Sequence, residues 1–168
     1  MSDIEEQADK AAVRLIEELA NKHYTLVLAE SCTCGLVSDL IARVSGASRV
    51  FWGSFVCYSP EAKKRMLRID GDFLEKHGLV SAETAEKMAL NALDIADVDF
   101  GASVTGLAGP LGDGSDTPVG TVFIAIAHRC YNEVTVNVKP LFFNGTRNEI
   151  RMQAALAVIE EALNTVNI

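Results

Sequence analysis

Apolar residues recur at a helical period from about Ile4 to Asn21, at Ile4, Ala8, Ala11, Ala12, Leu15, Ile16 and Leu19, and predict a first amphipathic helix. Tyr24–Ala29 (YTLVLA) is a mostly apolar run of strand length. A second helical pattern, at Leu36, Val37, Leu40, Ile41 and Val44, stops at the breaker pair Ser45–Gly46. Phe51–Tyr58 is rich in aromatic and β-branched residues and reads as a strand. Pro60 suits the first turn of a short helix carrying Lys63 and Lys64. Ser81 is placed to cap a helix whose Ala85, Met88, Ala89, Ala92, Leu93 and Ala96 share one face. Val98–Val104, Val119–Ala127 and Glu133–Phe143 read as strands, the last two joined as a hairpin across Arg129–Asn132. A helix from about Thr146 to Asn164 closes the chain.

Helices and strands alternate early, and strands neighbour one another late. That order predicts a single domain over residues 1–168, a three-layer α/β/α sandwich around a mixed β-sheet. The chain has 168 residues, 49% of them hydrophobic, enough to bury a sizeable core. No repeat or interdomain linker interrupts it. The longest irregular piece is Pro110–Pro118, and long loops in compact domains are often functional.

Charge narrows the partners. Against 23 Asp+Glu stand 15 Lys+Arg, a formal −8, and the longest basic run is Lys63–Lys64–Arg65. No basic stripe exists for a nucleic-acid backbone, so nucleic acid is not an expected partner, whereas a local site for a small anion is. No apolar stretch nears the roughly 20 residues that span a bilayer, and no membrane partner is expected. The acidic start MSDIEEQADK is the reverse of a signal peptide, which places the chain in the cytoplasm with reduced thiols. Cys32-x-Cys34 lacks the C-x-x-C spacing, and His23, His77 and His128 are scattered, so no metal site is expected.

Four segments carry candidate chemistry. Ala29-Glu30-Ser31-Cys32-Thr33-Cys34-Gly35 runs from a strand end into a helix start, where free amides suit an oxyanion or a phosphate. Ser31 there reads either as an N-cap or as a nucleophile. Tyr58 ends a buried strand, and Lys63 follows near a helix start. Burial and the helix dipole would lower that lysine's pKa and let it serve as a base for serine; the alternative is a solvated helix lysine. Thr105-Gly106-Leu107-Ala108-Gly109-Pro110 follows a strand, as a plain turn or as a loop that admits a ligand to the backbone. Arg147 and Arg151 share one helical face, either as solvated arginines or as a phosphate clamp.

AESCTCGL, SGASRVFWGSFVCYSPEAK, HGLVSAETAEKMA, VTGLAGP, PVGTVFIA and FNGTR, in this order, resemble the CinA C-terminal domain family, the nicotinamide-nucleotide amidases. The resemblance runs from about Leu26 to the last helix. Some members carry an N-terminal pyrophosphatase domain, for which this length leaves no room, so a stand-alone form is expected. The resemblance implies hydrolysis of the carboxamide of nicotinamide mononucleotide, giving nicotinic acid mononucleotide and ammonia without metal or organic cofactor. It implies Ser31 as nucleophile, Lys63 as base and Tyr58 beside them to relay or orient a proton. Thr105, Gly106 and Gly109 then belong to a loop closing on the substrate, and Arg147 meets its phosphate with a smaller share from Arg151. Helix-start amides over Cys32, Thr33, Cys34 and Gly35 would form the oxyanion hole. The family habit also implies a homo-oligomer.

Three positions depart from the family pattern. Cys34 stands where Ser-Cys-Thr-Gly-Gly has its first glycine, Pro60 where asparagine is usual, and Thr146 where aspartate is. The Cys34 thiol is expected in the pocket, shielded by substrate. The rival readings are a non-catalytic nucleotide-binding or regulatory domain that retains the pocket, and an amidase for another small amide.

Overall fold

Residues 3–131 and 133–167 are described by the structure, a computed structural model. Along them run α1 (Asp3–Lys22), β1 (Leu26–Glu30), α2 (Leu36–Ala42), β2 (Phe51–Val56), α3 (Pro60–Leu67) and α4 (Gly71–His77). Then come α5 (Ala82–Ala96), β3 (Phe100–Gly106), β4 (Thr121–Cys130), β5 (Glu133–Phe142) and α6 (Arg147–Val166). Three strands, β1, β3 and β4, start later than their apolar runs, at Leu26, Phe100 and Thr121. The Tyr24 amide donates to Leu19 O and the Val98 amide to Leu93 O, so both residues close the preceding helix rather than open a strand. α4 has no counterpart in the sequence reading, because GDFLEKH offers only Phe73 and Leu74 as an apolar signal. Asn132 of the expected hairpin turn lies outside the described residues. On either side of it Cys130 pairs with Glu133.

The sheet has the order β2-β1-β3-β4-β5. β1 is parallel to both β2 and β3, and β4 and β5 add antiparallel. Every residue of β1 is buried, as expected for a central strand covered on both faces. Leu26 and Leu28 face a core built with α1, α2 and α6, including Leu15, Leu40 and Ile159. Val27 and Ala29 face the opposite side, where Leu67, Leu74, Met88 and Ala92 pack from α3, α4 and α5. The result is a three-layer α/β/α sandwich around a mixed sheet. Among the described residues no helix is long and apolar enough to cross a membrane.

This topology also positions the site. From β1 the chain moves outward to β2, then returns past β1 to β3. The loops after β1 and β3 therefore diverge and leave a crevice at the strands' carboxyl ends, where open α/β sheets bind ligands. Ser31 follows β1, Tyr58 follows β2, and Thr105 and Gly106 end β3.

α5 packs on β3 so closely that a Cβ on Gly101 would lie 2.5 Å from Ala89 O and 2.8 Å from Leu93 Cβ. Gly101→Ala is expected to destabilise the fold by about 1–3 kcal/mol through overpacking. Urea denaturation checks this; an unchanged midpoint would mean that α5 sits further from the sheet.

Candidate active site

Ser31 is tied to the sheet by its own amide, which donates to Val104 O at 3.0 Å. Lys63 arrives from α3, a helix begun by the Ser59 cap, whose hydroxyl accepts from the Ala62 amide, and by Pro60 in the first turn. Only 2% of Lys63 is exposed, and Ser31 is buried beside it. The Lys63 Nζ lies 2.9 Å from Ser31 Oγ and donates to Cys57 O at 3.1 Å. Burial pushes the lysine's pKa below its ordinary value, and the neighbouring Cys57 and Cys32 oppose this more weakly. Burial also raises both thiols to about 11, so they stay protonated and offer the amine no counter-charge near neutrality. A neutral amine can accept the Ser31 proton.

The turn after Ser31 is organised by a residue that the sequence reading passed over. Glu30 is 1% exposed, and its carboxylate accepts from the amides of Gly35 (2.9 Å), Val37 (3.2 Å) and Ser38 (3.0 Å). It also accepts from the hydroxyls of Thr33 (2.7 Å), Ser38 and Ser54 (3.3 Å). A buried charge persists only when so satisfied, and this one neutralises the positive end of α2 from the preceding strand. An acidic residue ending an apolar strand directly before a helix start was the available signal. On the other side, Arg151 donates to Cys32 O (3.2 Å) and Thr33 O (2.7 Å).

These contacts correct three expectations. Gly35's amide belongs to Glu30 and Cys34's to Ser31 O, so neither is free for an oxyanion. Arg151 grips the backbone of the turn after Ser31 and is not turned toward a phosphate. Cys34 is exposed, and neither it, Thr33 nor Gly35 lines the cleft; Cys32 does. Cys34 holds φ +50°, in the region that favours glycine, with Gly35 next at φ +89°. The family's usual glycine would therefore adopt this turn with less strain than cysteine.

The cleft in front of Ser31 and Lys63 has a volume of about 200 Å³ and is open to solvent. Tyr58 and Arg147 form one wall. Arg147 Nη2 donates to Tyr58 Oη at 2.7 Å and Nη1 to Gly109 O at 2.6 Å. Tyr58 hydrogen-bonds neither Ser31 nor Lys63, so the tyrosine braces the arginine instead of joining the pair. Thr105 and Gly106 line the floor, the Thr105 hydroxyl already donating to Leu79 O at 2.8 Å. Gly109 holds φ +75°, with Val119 Cγ1 2.6 Å from where a Cβ would stand. Leu111 and Asp113, from the long Gly-rich loop, complete the rim. A larger cleft of about 570 Å³ beside α1 and α2 holds four charged side chains, Asp9, Glu17, Arg43 and Arg49, but no serine–lysine contact.

Fold and site together define a class of small α/β domain that keeps a buried lysine on a serine at the switch point of its sheet. The chain belongs to the CinA family, whose C-terminal domain model matches residues 8–166. It is 45% identical over 139 residues to a CinA-like protein of Prochlorococcus marinus (strain AS9601), covering 83% of this chain and 32% of that one. A CinA-like protein of Thermotoga sp. (strain RQ2) is 38% identical over 156 residues, covering 93% of this chain and 36% of the relative. The chain thus spans about a third of the length of these curated relatives. Among solved structures, the competence/damage inducible protein CihA from Agrobacterium tumefaciens matches with TM-score 0.87 at 32% identity, over 96% of both chains. A competence or damage-inducible protein from Enterobacter asburiae matches with TM-score 0.88 at 28% identity, over 95% of this chain and 98% of that one.

The buried amine has a thermodynamic consequence. Folding lowers the pKa of Lys63, so between that lowered value and the ordinary 10.5 the unfolded chain holds more protons at this site. Stability therefore rises with pH through that interval, and below it the full burial penalty applies. Lys63→Met is expected to melt higher than the parent at pH 7, with the advantage fading toward pH 10.5. Thermal melts over this range check it; an advantage independent of pH would assign the effect to packing.

Proposed function

We propose that this chain is an amidase acting on a pyridine nucleotide through an acyl-enzyme, with nicotinamide mononucleotide as substrate. The observation that carries the reading is the 2.9 Å contact between Lys63 Nζ and Ser31 Oγ, both buried. Ser31 Oγ forms a bond to the carboxamide carbon while its proton passes to Lys63. The tetrahedral intermediate collapses, the C–N bond breaks, and the Lys63 proton leaves with the nitrogen as ammonia. Water, deprotonated by the same amine, then attacks the ester and releases nicotinic acid mononucleotide and free Ser31. Lys63 must be neutral for the first step, so activity rises with pH along one ionisation, through the lowered pKa of this lysine.

Arg147 stands at the cleft with guanidinium donors beyond the two committed to Tyr58 and Gly109, and it suits the substrate's phosphate. A charge-assisted contact of this kind contributes about 1.5–3 kcal/mol. Arg147→Ala is therefore expected to raise KM for the nucleotide roughly ten- to a hundred-fold, with little effect on the riboside lacking the phosphate. Equal losses on both would make the arginine structural, through its brace on Tyr58 and Gly109.

Ammonia release from nicotinamide mononucleotide by the purified protein tests the activity itself. Ser31→Ala is expected to remove several orders of magnitude in rate with the fold intact. Lys63→Arg, which keeps the charge but cannot give it up, is expected to be as inactive as Lys63→Ala. No release by the parent would favour a non-catalytic nucleotide-binding domain. Substantial activity in Lys63→Arg would move the base elsewhere.

A further inference from the structure

The turn after Ser31 contains more amides than an oxyanion can use, and most are already committed. The Cys34 amide donates to Ser31 O (3.1 Å), Leu36 to Thr33 O (3.3 Å), and Gly35, Val37 and Ser38 to the Glu30 carboxylate. Among the described residues, only the amides of Cys32 and Thr33 in this turn reach no oxygen of the protein. Their directions follow from peptide planarity, because in a trans peptide the N–H points opposite to the carbonyl it shares. The Cys32 N–H shares its peptide with Ser31 O, which the Cys34 amide holds. The Thr33 N–H shares its peptide with Cys32 O, which Arg151 Nε holds. The two peptides are thus fixed from their carbonyl sides.

We propose that Glu30 and Arg151 are the positioning residues of the oxyanion hole, and that the amide of Cys32, the residue of this turn that lines the cleft beside Ser31, is its donor. The inference rests on Ser31 being the nucleophile, and it names the groups that would stabilise its tetrahedral intermediate. Arg151 reaches from α6 and holds two consecutive carbonyls, Cys32 O and Thr33 O. By holding Cys32 O, the arginine fixes the far end of the residue whose N–H faces the oxyanion. Glu30 works from the opposite side. It fixes the Thr33 hydroxyl and takes up the α2 amides, so the peptides next to Ser31 keep one orientation and are not drawn into the helix. Neither side chain lines the cleft, so both act through the backbone between them.

The test uses p-nitrophenyl acetate, a neutral ester with neither ribose nor phosphate. In its reaction Ser31 Oγ bonds to the acetyl carbon, the serine proton passes to Lys63, and p-nitrophenolate leaves. Acetylation at Ser31 is followed by intact mass and nitrophenolate release. Misplacing reacting groups by about an ångström costs on the order of a hundredfold, so Arg151→Ala is expected to slow acetylation roughly 10- to 100-fold. The pH midpoint of the rate should stay where it is in the parent, because Lys63 is untouched, and added guanidinium ion should restore part of the rate. Glu30→Gln keeps the shape and one acceptor oxygen and is expected to slow the step less. Parent-like acetylation in Arg151→Ala would overturn the proposal. So would a slowed rate with a displaced pH midpoint, which would place the arginine's effect on the lysine. Parent-like rates in Glu30→Gln would remove Glu30 from the hole. If the folded parent is not acetylated at Ser31 at all, the nucleophile reading itself fails.

Discussion

An ammonium group removed from water needs a carboxylate, a dense set of acceptors, or the loss of its proton. Lys63 has two acceptors, Ser31 Oγ and Cys57 O, and its nearest titratable neighbours are two thiols held protonated by the same burial. Burial therefore pushes the amine toward releasing its proton, below the ordinary lysine range, and much of the local structure serves that shift. α3 starts with a serine cap and a proline, which places the lysine early in the helix, with its amine reaching inward to Ser31 and Cys57 O. The two helical layers cover both faces of the sheet behind it. Burial thus works against the charged form of an amine that sits 2.9 Å from a serine hydroxyl.

Ser31 and Lys63 are 32 residues apart in sequence, and Arg147 lies far beyond both. The strand order brings them together. Reversal of the chain's direction of travel across β1 opens a crevice at the carboxyl ends of β1 and β3, and each contributing loop leaves a strand at that end. α6 then borders the crevice from the helical layer, with Arg147 on the cleft and Arg151, one turn later, on the backbone of the turn after Ser31. Two arginines with the same spacing and chemistry thus have different tasks. Only their places relative to the turn separate them.

That difference shows where sequence reasoning succeeds and stops. Periodicity located α1, α5 and α6 and the five strands, because each buries a regular stripe or run. It missed α4, whose seven residues carry too short a pattern, and it extended β1 and β3 backward over Tyr24 and Val98, whose amides close helices. The strand-to-helix position of Ser31 and the helix-start position of Lys63 were legible from local chemistry, and family motifs joined them. Glu30 was not, since a carboxylate at a strand end reads as solvent-facing until three helix amides are seen to converge on it. Nor was the outward side of Cys34, because the left-handed conformation at φ +50° turns its thiol away from the cleft that Cys32 lines. Spacing along a chain ranks candidate residues, but it does not give the direction in which a turn presents them.

The central claim is that burial beside Ser31 makes Lys63 give up its proton below the ordinary lysine range, and its titration can be observed directly. In protein carrying isotope-labelled lysine side chains, the Lys63 signal is assigned by its disappearance in Lys63→Arg and followed by NMR from pH 5 to 11. The account expects one lysine, Lys63, to lose its proton well below all the others, at the same pH that governs the rise in activity. A Lys63 signal that titrates with the exposed lysines would contradict it.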